Sequence, residues 1–250
     1  MYIDVRGLVI RAEKKGENGK YLTVLTPTHG VIGVNVRGGI RTASRFFAST
    51  QLYALSDMTV FYRNGHYSLT EASPVDVFFE LNGSLTGLSL ACWLCDAAAA
   101  SSTASQEQGE IFRLLLNSLW YLSRHPELHI FIKTVFELRL LFITGYCPDF
   151  VCASCGGELY GNVSFDCRTG ELRCGGCTSG KSGGVILEDG VLALMVYLSG
   201  CAPKQIFAFR PEPSAIASAG SLSESFLLTV TGLDTTRLDF YKKMSKQEDI

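Results

Sequence analysis

Cys152-Ala-Ser-Cys155, then eighteen residues, then Cys174-Gly-Gly-Cys177 is the stretch around which this chain is organised. Two Cys-x2-Cys knuckles at such a separation are the pattern of a four-thiolate zinc site. Two intervening residues let both thiolates of a knuckle bend toward one ion, and Gly156, Gly157, Gly175 and Gly176 permit the tight turns this needs. Leu159 to Arg173 can fold as a short hairpin that carries the second pair opposite the first. An all-cysteine tetrahedral site has no open position for water or substrate, so the expectation is one structural Zn2+ on Cys152, Cys155, Cys174 and Cys177. The competing reading is four packing thiols that merely fall in pairs.

Outward from the knuckles, composition bounds the rest. The chain has 250 residues, 47% of them hydrophobic, enough for a sizeable core and more than one domain. Its nine cysteines are an odd number, which argues against a complete disulfide framework and for a reducing cytoplasm. The N-terminus opens on an alternating strand rather than a basic and apolar leader. The longest apolar run, Ile130 to Ile143, is interrupted by Lys133, Glu137 and Arg139, so no membrane partner is expected. The formal net charge of -2 is unevenly spread. Residues 1–65 hold nine Lys and Arg against four Asp and Glu (+5), and the rest hold thirteen against twenty (-7). A basic N-terminal part on an acidic remainder points to an anionic partner at one end.

That basic part reads as five strands: Tyr2 to Ala12, Tyr21 to Thr26, Val31 to Arg37, Leu55 to Tyr62 and His66 to Ala72. Asn18-Gly19 and Asn64-Gly65 are hairpin signals between them, and Pro74 is expected to end the sheet. Five short strands suit a small closed barrel of the OB type. Helices are expected over Leu85 to Ala100, through Ile111 to Trp120 behind a Ser105/Gln108 capping box, and over Leu128 to Thr144. The last has one narrow polar stripe (His129, Lys133, Glu137), which marks a central helix, and Gly145 stops it. Shorter helical stretches follow at Asp189 to Ser199, Ser223 to Thr231 and Thr235 to Met244.

Two further motifs carry less. Gly175 to Ser182 matches G-x4-G-K-S, but a cysteine knuckle precedes it where a phosphate loop needs a strand, and Gly183-Gly184 follows where it needs a helix. A phosphate-loop NTPase is therefore the third-ranked reading. Cys92-Trp-Leu-Cys95 resembles a redox pair yet lies within an apolar helical run, so packing thiols are expected. Cys147 and Cys167 lack a partner at knuckle spacing. No Ser, His and Asp set stands out, and no enzymatic centre is expected.

The cations expected to face DNA are Arg11, Lys14, Lys15, Lys20, Arg37, Arg41, Arg45 and Arg63. Arg37, Arg41 and Arg45 recur every four residues, and Tyr2, Tyr21, Phe46, Tyr62 and Tyr67 offer rings. An OB barrel binds single strands with such a set, cations tracking phosphate and rings stacking on bases. The plainer alternative is a solvated surface.

With these residues in view the chain resembles the RecO family of bacterial recombination mediators. The resemblance rests on Leu25-Thr26 with Gly30, on Arg37-Gly38-Gly39-Ile40-Arg41-Thr42-Ala43-Ser44-Arg45-Phe46, on Phe136-Glu137-Leu138-Arg139-Leu140-Leu141 leading to Gly145-Tyr146-Cys147-Pro148, and on the knuckles. It implies an α+β multidomain protein: a five-stranded OB-fold barrel (1–80), an α-helical domain (81–146 and 181–250) and an inserted four-cysteine zinc module (147–180). It further implies a cytoplasmic, nucleoid-associated DNA-repair accessory that binds single- and double-stranded DNA, anneals complementary strands and helps load recombinase onto strands coated by single-strand-binding protein. RecR and the C-terminal tail of that coating protein are the implied partners. A zinc-stapled protein adaptor that never holds DNA is the alternative.

Overall fold

A computed structural model describes residues 1–38, 44–102, 109–178 and 184–248, the last by its backbone only. Five strands open the chain: β1 (Tyr2–Lys15), β2 (Gly19–Thr26), β3 (Gly30–Arg37), β4 (Ala54–Arg63) and β5 (His66–Val77). They close into a barrel in the order β1-β2-β3-β5-β4. β1 is long because it serves two neighbours. Its first half, from Tyr2, pairs with β4, and from Leu8 onward it pairs with β2. Gly7 sits at that corner, where a Cβ would come within 2.3 Å of the Val24 side chain. The barrel is sealed by a short parallel seam, Val34 opposite Tyr67 and Asn35 opposite Ser68. Inside lie Val5, Val9, Leu22, Val24, Ile32, Val34, Val36, Phe46, Met58, Val60 and Leu69, the inward set of a period-two pattern.

Two details differ from expectation and a third meets it. Pro74 lies within β5 instead of ending it. There β5 pairs with β4 alone, beside a register shift at Leu55/Ser56, so the missing N–H removes no ladder bond on the open side. In the first hairpin the left-handed residue is Gly16, and Gly19 belongs to β2, packed tightly against the Lys15 carbonyl. Asn64 and Gly65 both have positive φ, as a two-residue turn of the expected type demands.

The helices are α1 (Leu85–Ser101), α2 (Gly109–Arg124), α3 (His129–Leu141), α4 (Gly175–Thr178), α5 (Asp189–Gly200), α6 (Pro213–Thr231) and α7 (Thr236–Glu248). Ser84 caps α1 by accepting from the Gly87 N–H at 3.0 Å. The Ser105/Gln108 capping box lies outside the described residues. α3 continues into a wider turn, Phe142–Tyr146, where Gly145 takes φ 99°. α6 begins ten residues earlier than its apolar pattern predicts, because Ala, Ser and Gly fill its first turns. Three short strands, β6 (Ser164–Asp166), β7 (Glu171–Arg173) and β8 (Val185–Ile186), form a sheet in the order β7-β6-β8. No helix among the described residues is long and apolar enough to cross a membrane.

The chain condenses into two compact units. One is Met1–Pro126 with Arg237–Ile250, the barrel with α1, α2 and most of α7. The other, Glu127–Thr236, holds α3, α5, α6 and the cysteine-bearing sheet. In the first, Asp96 on α1 binds Arg11 of β1 at 2.6 Å and Arg237 of α7 at 3.0 Å, tying three elements together. In the second, α3 packs along α6, and Phe165 of β6 meets Phe226 of α6 edge-on with ring centroids 5.0 Å apart.

Candidate nucleic-acid groove and metal centre

At one end of the barrel the β1–β2 hairpin and the ends of β3, β4 and β5 bound a groove of about 710 Å3. Lys15, Lys20 and Arg37 line it, with Tyr2 and Phe61 as its aromatic wall. The register brings them together: Lys15 and Arg37 are both partners of Gly19, Lys14 stands opposite Lys20, and Tyr2 stands opposite Phe61. The Tyr2 and Phe61 rings lie 5.1 Å apart. Arg45 joins from the segment after β3, donating to the Thr70 carbonyl at 3.1 Å on the groove wall.

None of Lys14, Lys15, Lys20, Arg37 and Arg45 is paired with a carboxylate among the described residues. Lys15 donates to the Asn35 amide oxygen at 2.5 Å and lies over the Tyr21 ring. Lys20 reaches the Thr50 carbonyl and hydroxyl at 3.3 and 3.4 Å, and burial alone lowers its pKa. A partly desolvated ammonium with neutral partners is a favourable place for an anion. Arg6 and Arg11 differ. Arg6 forms a two-pronged pair with Asp57, and Arg11 is held by Asp96 away from the groove. Arg63 is the last residue of β4 and does not line the groove, and Arg41 lies outside the described residues. Of the expected rings, Phe46 is buried in the barrel core and cannot stack on a base. Phe61 takes that place. Its role is invisible in the sequence because only the closure of β1 on β4 sets it beside Tyr2.

The second site is the cysteine cluster. The sulfurs of Cys152, Cys155, Cys174 and Cys177 all lie within 4.8 Å of one another, drawn together across β6 and β7. Backbone bonds shape each knuckle: Gly156 N–H donates to the Cys152 carbonyl at 2.8 Å and Cys177 N–H to the Cys174 carbonyl at 2.9 Å. The Cys174 N–H also donates to the Cys152 sulfur at 3.4 Å, and this bond is the main reason the Cys152 pKa falls to about 6. Cys177, crowded first by Cys174 and then by Cys152 and Cys155, is pushed up to about 12. Four sulfurs this close cannot all be thiolates without a cation among them, so the donor set fits a thiophilic metal ion.

The remaining motifs resolve around these sites. Of the phosphate-loop pattern, Gly175 to Thr178 is a single helical turn carrying a cluster cysteine, and residues 179–182 lie outside the described residues. Cys95 is fully buried with its pKa raised chiefly by burial, and the Cys92 sulfur lies 3.1 Å from the Tyr53 hydroxyl. Both belong to packing.

Comparison with known proteins agrees with this arrangement. The family described as Recombination protein O N terminal matches residues 1–78, and that described as Recombination protein O C terminal matches residues 83–238. The DNA repair protein RecO of Acetivibrio thermocellus is 25% identical over 246 residues, covering 98% of each chain. That of Alkaliphilus metalliredigens is 26% identical over 230 residues, 91% of this chain and 93% of the relative. That of Symbiobacterium thermophilum is 30% identical over 199 residues, 77% and 78% of the two chains. With both family halves matched in order along a barrel, a helical part and a four-cysteine cluster, the chain belongs to the RecO family of DNA repair and recombination proteins, and its barrel is that family's N-terminal OB fold.

Proposed function

We propose that this protein is a DNA-repair accessory without a catalytic centre that binds single- and double-stranded DNA through the barrel groove and anneals complementary strands. The observation that carries the reading is a set of carboxylate-free cations, Lys15, Lys20, Arg37 and Arg45, around a groove with an aromatic wall, in a chain that is negative overall. Annealing needs no covalent chemistry, since neutralising phosphate on two strands lowers the repulsion that keeps them apart. The sulfur cluster holds one structural Zn2+, for its spacing and thiolate-only donors suit that ion. By resemblance the protein works in the bacterial cytoplasm at the nucleoid, with RecR and the acidic tail of single-strand-binding protein, to load recombinase on coated strands. In this division residues 1–80 face DNA, 147–180 are the metal module, and 81–146 with 181–250 take the protein tail.

Single-strand binding by the full chain across a salt series tests the reading. About four phosphate contacts predict log K falling against log salt with a slope near -3. Replacing Lys20 and Arg37 with Ala should reduce the slope by about one to two units and weaken binding similarly for all sequences. Stacking on Tyr2 and Phe61 should leave residual affinity at high salt. A wild-type chain with no salt-dependent binding would move the assignment to a zinc-stapled protein adaptor.

A further inference from the structure

Trp120 and Arg124 stand on a face of α2 that the packing of the helix does not use. α2 buries Ile111, Phe112, Leu114, Leu115, Leu119 and Leu122. At 3.6 residues per turn, Arg113, Trp120 and Arg124 fall within about 40° of one another, on the side away from that buried set. All three are exposed. Arg124 lies over the indole with its guanidinium carbon 4.6 Å from the ring centroid, and Trp120 is still 45% exposed. The other tryptophan of the chain, Trp93, is fully buried, the commoner fate of so large a ring. Neither Arg113 nor Arg124 is paired with a carboxylate among the described residues. The one carboxylate of α2, Glu110, is in its first turn. An open ring thus lies between two unpaired guanidiniums, on a stripe about 16 Å long at 1.5 Å per residue.

We propose that this face of α2 is a second nucleic-acid surface, which holds the complementary strand while the barrel groove holds the first. The inference rests on the DNA reading of the groove and adds the place of the second strand. Its composition repeats that of the groove: Lys15, Lys20 and Arg37 with Tyr2 and Phe61 there, Arg113 and Arg124 with Trp120 here. A guanidinium offers paired donors to phosphate oxygens, and an indole stacks on any base. Such a surface holds a strand without reading its sequence, as the pairing of arbitrary complements requires. α2 belongs to the same compact unit as the barrel, and none of its residues lines the groove, so the two strands do not compete for one site.

The test uses the full-length chain and a thymidine oligonucleotide. Because Trp93 is fully buried, a change in tryptophan emission on binding reports Trp120. The oligonucleotide should quench that emission, and should still do so in a Lys20→Ala, Arg37→Ala protein with a weakened groove. Trp120→Phe assigns the signal and should abolish it. Replacing Arg113 and Arg124 with Ala should raise the oligonucleotide concentration needed for quenching about tenfold and slow the annealing of complementary strands by a similar factor. The single-strand binding that depends on Lys20 and Arg37 should stay within about twofold in that variant. Groove binding with unchanged Trp120 emission would overturn the second surface and leave the groove in place. So would undiminished annealing by the Arg113→Ala, Arg124→Ala protein, or quenching that persists in Trp120→Phe. Emission that responds only to protein concentration would assign the face to a second copy, and emission that responds to an acidic peptide but not to DNA would assign it to a protein tail. Either result overturns the proposal. A wild-type chain that binds no single strand at all would remove the groove reading and this inference together.

Discussion

Lys133 of α3 is 5% exposed, an unusual place for an ammonium group. It binds Glu137 one turn along at 2.9 Å and Glu224 of α6 at 3.2 Å, and Ser223 donates to Glu137 at 2.7 Å. In sequence this is a polar stripe, and in the structure the stripe faces inward. A replacement with an apolar core was available, so the net worth of such a network is small. Its rupture is not: Lys133→Ala takes the Lys133 ammonium away from the fully buried Glu137 carboxylate and should cost about 3–5 kcal/mol in denaturant unfolding. Replacing Lys133 and Glu137 together by Met should recover much of that loss. A Lys133→Ala protein within about 1 kcal/mol of wild type would mean the carboxylate is served otherwise.

At the scale of elements, the barrel depends on β1 bending between two partners. The bend passes over Val24, whose side chain is fully buried, and Gly7 leaves room for it. Gly7→Ala forces a methyl into that space and should destabilise by about 1–3 kcal/mol, the range for overpacking a dense core. Gly16→Ala is a useful contrast. Nothing stands within 4 Å of its Cβ position, so its cost comes only from φ 66° in the hairpin loop. Thermal unfolding of both variants checks the account, which fails if Gly7→Ala melts with the wild type.

At the scale of the whole chain, residues 237–250 return to the unit that the N-terminus began. Leu238, Tyr241 and Met244 of α7 are buried at a spacing of three, and Arg237 shares Asp96 with Arg11. Ending the chain at residue 236 removes that stripe and should expose the surface it covers. At about 1.5–3 kcal/mol per large buried side chain, the loss is several kcal/mol. A clear fall in melting temperature, or insolubility, is expected, and an unchanged melting curve would show that α7 is dispensable. Charge is divided on the same scale. Lys15, Lys20 and Arg37 meet at the barrel groove without a carboxylate partner among the described residues, while Arg6 and Arg11 of β1 are held by Asp57 and Asp96.

The sequence by itself determined the elements whose cause is local. Hairpin turns follow from glycine and asparagine at positive φ, strands from period-two burial, and the sulfur cluster from two knuckles whose spacing is a property of the chain. Only the tertiary structure decided which arginines stay free. Arg11 and Arg37 read alike in sequence, yet Asp96 lies eighty-five residues from Arg11 and no local pattern announces that pairing. It also decided that Phe46 is core and Phe61 is groove, and that Lys133 and Glu137 point inward. The first ten residues of α6 were hidden for a related reason. Their Ala, Ser and Gly carry no apolar period, and the close approach that wants them small, a Gly220 Cβ only 2.9 Å from the Thr134 hydroxyl, exists only once α3 lies alongside. Local backbone preference acts within a few residues, whereas burial and charge pairing depend on neighbours that folding brings from far along the chain.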